Sequence, residues 1–316
     1  MALILINFDF PEKFVQELKQ KYPDCRFVVC KEDAQSRQYL ATADVLVTFF
    51  GCTREIVEAA PALEWIQAIS AGVDFMPLDL IFEKDIILTN GRGIHKIHMA
   101  EYAIAAMINL ARGFHQMFRN QVNRWWDRSV PQFEIYGKTV GIVGLGAIGG
   151  AIAEKAALFG MRVIGSKRRP EPMPNVAKVY GAQEIARVFE QSDYVINLLP
   201  YTEDTEQLID KALFDRMKRD ACFINIGRGR TVNEPDLIEA LQKGTIRAMA
   251  SDVFYEEPLP EESPLWDLEN VILTPHICGV SPQYMKRAME IIDHNLNVYL
   301  SGQGEMINRV DPSKKY

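Results

Sequence analysis

The sequence has little of what several specialised protein classes need. No apolar run approaches the roughly 20 residues that span a bilayer, and the most apolar helical stretch, "MAEYAIAAMINLAR" (99–112), carries Glu101 and Asn109. There is no cationic excess. Lys and Arg number 35 against 42 Asp and Glu, a net charge of −7, which excludes a general nucleic-acid binder. The five cysteines (Cys25, Cys30, Cys52, Cys222, Cys278) are odd in number and form no CxxC pair. Lying in or beside apolar runs, they read as reduced thiols, not as a disulfide framework or a zinc site. The opening "MALILINFDF" has no basic leader, and Asp9 interrupts its short apolar run; it reads as a first β-strand, not a signal peptide. Repeats and low-complexity segments are absent. A cytoplasmic protein with no membrane or nucleic-acid partner is expected.

The chain does have the material for a core. Its 316 residues are 48% apolar and 24% charged, close to globular averages and enough for two domains. Short apolar runs alternate with helical patterns: "LILINF" (3–8), the helix "PEKFVQELKQKY" (11–22), then "FVVC" (27–30), "VLVTFF" (45–50), "WIQAIS" (65–70) and "IILTN" (86–90). Such alternation implies βαβ units and a parallel sheet. A helical pattern covers about 98–119. A Trp-containing polar segment then leads to a second start at residue 139, where "TVGIV", "RVIG", "YVINLL", "CFINI", "AMASDVF" and "VILT" follow in turn.

At that second start Gly144, Gly146 and Gly149 form G-x-G-x-x-G between a strand and a helix. The first glycine permits the tight turn, the second lets backbone approach a pyrophosphate, and the third lets helix pack on strand. Amides of the helix start, around Ala147 and Ile148, attract phosphate charge. NAD-binding versions of this unit place an acidic residue about 20 positions on, at the ribose. Here "VIGSKRRP" (163–170) offers Ser166, Lys167, Arg168 and Arg169 instead. A lysine cannot accept hydrogen bonds from ribose hydroxyls, whereas this run suits a 2′-phosphate. The preferred cofactor is therefore NADP(H), with NAD(H) the weaker alternative; a merely solvated charged loop is the plain reading of the same run.

Three later stretches close strands of the same sheet: "INIGRGR" (224–230), "SDVFYEEPLP" (251–260) and "TPHICG" (274–279). Together with "GLGAIGG", "NLLPYTEDTEQLI" (197–209) and "AISAGVDFM" (68–76), they resemble the signature blocks of the D-isomer-specific 2-hydroxyacid dehydrogenase family, in its NADP-type, glyoxylate/hydroxypyruvate reductase-like branch. The resemblance runs over nearly the whole chain. It implies two doubly wound parallel-sheet α/β domains, a Rossmann cofactor domain inserted into a flavodoxin-like substrate domain. Residues 1–97 and 282–316 would form the substrate domain and 98–281 the dinucleotide-binding domain, with the chemistry in the cleft between them.

The resemblance implies roles for Arg228, Glu257 and His276. A guanidinium holds the carboxylate of a 2-keto acid and polarises its carbonyl. A protonated imidazole neutralises the alkoxide that hydride creates, and a carboxylate behind it orients the ring and keeps it charged. Glu256 is a near twin of Glu257; the family's spacing from Asp252 selects Glu257. Of the five histidines, only His276 sits in a Pro-His-x-x-Gly loop closing an apolar strand. His95 and His98 read more readily as structural, as do His115 and His294 on helical patterns.

Cofactor contacts are further implied for Pro200, Thr205, Ile226, Asp252 and Gly279, and a carboxylate cradle for the amides of Ala71, Gly72 and Val73. Phe49, Phe50 and Met76 are candidates to line the substrate side-chain pocket. Trp125 and Trp126 fall in a region through which related enzymes dimerise, so a homodimer is expected. The reading is thus an oxidoreductase that reduces a small 2-keto acid to a D-2-hydroxy acid with NADPH. Its rivals are an NAD-using D-2-hydroxyacid dehydrogenase and a cofactor-sensing, co-repressor-like binding protein on the same fold. Among NAD users, a phosphoglycerate-type enzyme is disfavoured by the lack of an added C-terminal regulatory segment, and formate dehydrogenase would call for an amide where Glu257 stands.

Overall fold

Four-residue runs such as Leu3–Ile6 and Val45–Thr48, buried along their whole length, suit strands covered by helices on both faces. A computed structural model describes residues 1–49 and 51–312. One unit comprises residues 1–94 with the chain from 282 onward, the other residues 95–281. In the first, β1 (Leu3–Ile6), β2 (Arg26–Val29), β3 (Val45–Thr48), β4 (Trp65–Ala68) and β5 (Ile87–Thr89) form a five-stranded parallel sheet in the order β2-β1-β3-β4-β5. The crossovers carry α1 (Glu12–Lys21), α2 (Asp33–Leu40), α3 (Arg54–Glu58) and α4 (Leu78–Glu83).

Alternate residues of each strand feed different cores. Ile4 and Ile6 pack with Phe14, Val15 and Leu18 of α1 and with Ala288, Ile292 and Leu296 of the last helix, Tyr284–Ser301. Leu3 and Leu5 face Leu46, Ile56, Ile66 and Ile81 on the other side. The last helix is also tied in by hydrogen bonds. Asn295, fully buried, donates from Nδ2 to Gln67 Oε1 at 2.9 Å and to the Ile307 carbonyl at 3.1 Å, and its Oδ1 accepts from the Ile307 amide at 2.8 Å. Gln67 Oε1 in turn accepts from Thr89 Oγ1, which accepts from Trp65 Nε1.

In the second unit, β6 (Thr139–Val143), β7 (Arg162–Ser166), β8 (Lys178–Tyr180), β9 (Tyr194–Asn197), β10 (Cys222–Asn225), β11 (Ala248–Ser251) and β12 (Val271–Leu273) form a seven-stranded parallel sheet, ordered β12-β11-β10-β9-β6-β7-β8. It is flanked by α5 (Lys96–Arg112), α6 (Phe114–Val122), α7 (Ala147–Leu158), α8 (Ile185–Gln191), α9 (Lys211–Phe214) and α10 (Glu234–Gln242). The strand order reverses between β6 and β9, the arrangement that opens a crevice at the carboxyl ends of doubly wound sheets. Both units are therefore doubly wound α/β sheets, as the sequence pattern implies. No helix among the described residues is long and apolar enough to cross a membrane.

Two elements differ from the sequence reading. The continuous helix over 98–119 is broken at Gly113, which adopts φ +62 and caps α5. A Cβ there would lie 2.5 Å from Val130 Cγ1, so both the left-handed turn and the returning chain call for glycine. Strand β8 has no counterpart in the pattern, because its three residues include only one that is buried, Tyr180.

The buried Asn295 network and the exposed Lys21–Asp293 ion pair, 2.6 Å apart, both hold the last helix, with unequal consequences. Asn295→Ala should destabilise the protein by about 1–3 kcal/mol, since partners are left unpaired in the core. Lys21→Ala should cost under about 1 kcal/mol. Urea unfolding followed by circular dichroism checks this, and equal shifts in midpoint would contradict it.

Candidate active site

The turn after β6 has the three properties that a phosphate-binding turn requires. Gly144 takes φ +102, and a Cβ on it would stand 3.1 Å from the Leu198 carbonyl. A Cβ on Gly149 would approach the Gly144 carbonyl oxygen to 2.8 Å and Ile142 Cγ2 to 3.2 Å, so only glycine lets α7 sit this close to β6. A Cβ on Gly146 meets nothing within 4 Å. That space lies open before the first turn of α7, where the amides of Ala147 and Ile148 donate to no described residue. Free amides and the positive helix end form an anion site there, and the cradle fits a dinucleotide pyrophosphate.

Strand β7 ends in Ser166, 4% exposed. The Lys167 amide donates to the Tyr180 carbonyl at 3.0 Å, fixing this backbone to β8. Its side chain forms an ion pair with Glu171, and Lys167 holds that carboxyl below its usual range. Arg168 and Arg169 are exposed beside it. Across the sheet end, Thr205 Oγ1 donates to the Pro200 carbonyl at 2.7 Å and accepts from the Thr202 amide at 2.8 Å, closing the loop after β9. Ile226 is buried in the core beneath β10's end.

Arg228 follows β10 in a loop set by buried polar groups. Asn197 Nδ2 donates to Asn225 Oδ1 at 3.0 Å and to Thr231 Oγ1 at 2.8 Å, and Thr231 Oγ1 donates to the Arg228 carbonyl at 2.6 Å. Gly229 is wedged against the chain after β11: a Cβ there would fall 1.8 Å from the Phe254 carbonyl oxygen. This contact brings Arg228 into electrostatic reach of both Glu257 and His276.

His276 Nδ1 lies 2.6 Å from Glu257 Oε2, with half of the imidazole exposed. The other carboxylate oxygen, Oε1, accepts from the Phe254 amide at 2.9 Å. Glu256 makes no hydrogen bond or ion pair among the described residues, so the geometry distinguishes the two glutamates. The hydrogen bond to Glu257 raises the His276 pKa above 6.5, against burial and the Arg228 charge. Burial pushes the Glu257 carboxyl up, but the His276 bond, the Phe254 amide and the two cations together bring it below its ordinary value. The contact therefore favours the protonated imidazole, with Nδ1 committed to Glu257 and Nε2 bonded to no described residue.

The loop carrying His276 is shaped by Asp252, which is fully buried. Its Oδ1 accepts from Thr274 Oγ1 at 2.5 Å and the Ile277 amide at 3.0 Å, and its Oδ2 accepts from the Cys278 amide at 2.8 Å. Tyr102 Oη donates to Thr274 Oγ1 at 2.6 Å. His276 itself sits at φ +52, its amide bonded to the Asp252 carbonyl at 2.9 Å. Gly279 is held from the other side, where its carbonyl accepts from His98 Nε2 at 2.9 Å, and His95 packs over it. Asn197, Asn225, Thr231, Thr274 and Tyr102 were not singled out from the sequence. The available signal was a polar residue ending an otherwise apolar strand, as in "VIN" and "FIN".

In the first unit, the turn after β4 offers backbone amides. Asn90 Nδ2 donates to the Ala71 carbonyl and Ser70 Oγ to the Gly72 carbonyl, both at 2.9 Å. The amides of Ala71, Gly72 and Val73 donate to no described residue, an arrangement suited to an anion. Met76 is 6% exposed within the core, so it packs there and does not line an open pocket. Phe49 packs on Phe8 and Tyr284; Phe50 lies outside the described residues. His115 is driven below its ordinary pKa by burial, and His294 donates to the Glu305 carbonyl. Trp125 and Trp126 are exposed. No metal-ligating cluster occurs among the described residues.

Residues 104–278 match the family model described as D-isomer specific 2-hydroxyacid dehydrogenase, NAD binding domain. The chain belongs to the D-isomer specific 2-hydroxyacid dehydrogenase family. It is 35% identical over 263 residues to a glyoxylate/hydroxypyruvate reductase B of an Enterobacter species, covering 81% of each chain. It is likewise 35% identical over 267 residues to a D-3-phosphoglycerate dehydrogenase of Methanocaldococcus jannaschii; that match takes in 83% of this chain but spans half the length of the relative. Among solved structures it resembles an NADPH-dependent glyoxylate/hydroxypyruvate reductase of Sinorhizobium meliloti, determined with NADP and sulfate, with a TM-score of 0.86, 27% identity and full coverage of both chains.

The His276 imidazole should titrate above 6.5, as followed by its ring-proton resonances. In Glu257→Gln it should fall below that value, because burial and the Arg228 charge, the larger of the surviving influences, lower it against a smaller upward pull from Asp252. Glu256→Gln should leave it in place. The opposite response of the two variants would move the partner role to Glu256.

Proposed function

We propose that the protein reduces small 2-keto acids of the glyoxylate and hydroxypyruvate class to 2-hydroxy acids of D configuration, with NADPH preferred over NADH. The observation that carries this reading is the 2.6 Å contact of His276 with Glu257, with the Arg228 charge acting on both groups. The glycine turn and the amides of Ala147 and Ile148 would hold the cofactor's pyrophosphate. Bound cofactor supplies the hydride. Arg228 then binds the acid's carboxylate and polarises its carbonyl oxygen. His276 gives its Nε2 proton to that oxygen as charge develops, while Glu257 stabilises the imidazolium beforehand and orients it. The amides of Ala71, Gly72 and Val73 are the second group suited to a carboxylate.

Preference for NADPH is supported by Ser166, Lys167, Arg168 and Arg169 at the end of β7, where an NAD site would hold an acid, and by the NADPH dependence of the Sinorhizobium relative. Five free thiols fit work in the reducing cytoplasm. Self-association into a homodimer is supported by the exposed Phe118, Trp125, Trp126 and Tyr136 of the second unit.

Oxidation of NADPH and NADH with a panel of 2-keto acids tests the proposal. We expect kcat/KM with NADPH to exceed that with NADH by about tenfold or more, the scale of one or two charge-assisted contacts. Neutralising Lys167 and Arg168 together should erase most of the gap. Arg228→Lys should raise KM for the keto acid and lower kcat, because the planar fork is lost. Equal use of both cofactors would overturn the NADPH assignment, and no turnover with any 2-keto acid would overturn the enzyme reading.

A further inference from the structure

The basic run after β7 contains its own anion. Residues 167–171 lie outside any helix or strand, yet the loop folds back so that Glu171 reaches the Lys167 ammonium. The lysine cannot move its backbone away, because its amide is bonded to Tyr180 of β8 at 3.0 Å. Its side chain is 32% exposed and the Glu171 side chain 63% exposed. Glu171 makes no other hydrogen bond or ion pair among the described residues. The cation nearest the strand end is thus already paired, and the partner carboxylate stands beside the place proposed for the ribose.

We propose that Glu171 is a specificity-determining residue for the adenosine end of the cofactor, holding the preference for a 2′-phosphate below what the basic run alone would give. The inference rests on the NADPH reading of that run. Its physical basis is competition. A 2′-phosphate must take Lys167 from Glu171 and then remain near a carboxylate of its own sign. An unphosphorylated ribose carries no such charge, and its hydroxyls can donate to the carboxylate as they do to the acid of NAD sites. An exposed ion pair in a mobile-ion solvent is weak and screened, so the phosphate can displace it, at a reduced affinity. Glu171 therefore moderates selectivity and leaves both cofactors usable.

The test needs no turnover. Binding of adenosine 2′,5′-bisphosphate and of adenosine 5′-monophosphate is measured by titration calorimetry on the full chain, at low and high salt. The wild-type protein should bind the bisphosphate more tightly than the monophosphate. Glu171→Gln should tighten the bisphosphate by about three- to fivefold, the upper range for an exposed pair, without tightening the monophosphate, and added salt should shrink the difference. If the wild type discriminates between the two nucleotides but Glu171→Gln leaves the ratio unchanged, the role of Glu171 is refuted and the NADPH reading stands. If the wild type and Glu171→Gln both bind the two nucleotides equally, the NADPH reading fails and the role of Glu171 fails with it.

Discussion

The buried carboxylate of Asp252 joins the end of β11 to the loop after β12. With no exposure to water, its charge is supportable only because Thr274 and the amides of Ile277 and Cys278 all donate to it. Those donors are consecutive parts of one loop, so satisfying the carboxylate also fixes the loop's course. His276 is thereby held at a positive φ that a non-glycine residue rarely adopts, and in that conformation its Nδ1 meets Glu257. Asp252 carries its influence through this loop. Three of the roughly four acceptor positions of its carboxylate are already occupied by protein groups.

A second constraint is close packing at the strand ends. Gly229 presses on the Phe254 carbonyl, and Phe254 supplies the amide that holds Glu257. The loop bearing Arg228 and the loop bearing Glu257 are therefore set against each other by backbone contact alone. The buried Asn197–Asn225–Thr231 group fixes the Arg228 side of this contact. Arg228 and Glu257 are thus placed by uncharged groups and His276 by the buried Asp252 carboxylate, so none of the three depends on the other two for its position.

Much of this was legible in the sequence because the signals are local. Alternating apolar runs give two parallel sheets, and strand, glycine turn and helix in succession give the phosphate cradle. What was not legible depends on distant contacts. The helix breaks at Gly113, where Val130 of the returning chain leaves no room for a side chain; a helical period cannot report that contact. Met76 has the size and polarity of a pocket residue, yet the side chains around it place it in the core. Glu256 and Glu257 are equivalent by residue type alone; the family's spacing points to Glu257, but its bonds to the Phe254 amide and His276 come only from the fold. Reading the basic run by charge type found its cations and passed over Glu171, whose return to Lys167 comes from the turn of the loop.

The pH dependence of the proposed NADPH-driven reduction of hydroxypyruvate, compared between the wild type and His276→Ala, tests most directly the claim that His276 carries the reacting proton. The wild-type kcat/KM should fall as pH rises through the raised pKa of His276, because the acid form is lost. His276→Ala should lose about 100-fold or more in kcat and the alkaline limb with it, while still binding adenosine 2′,5′-bisphosphate. A folded His276→Ala protein with near-normal kcat and an unchanged pH profile would contradict the account.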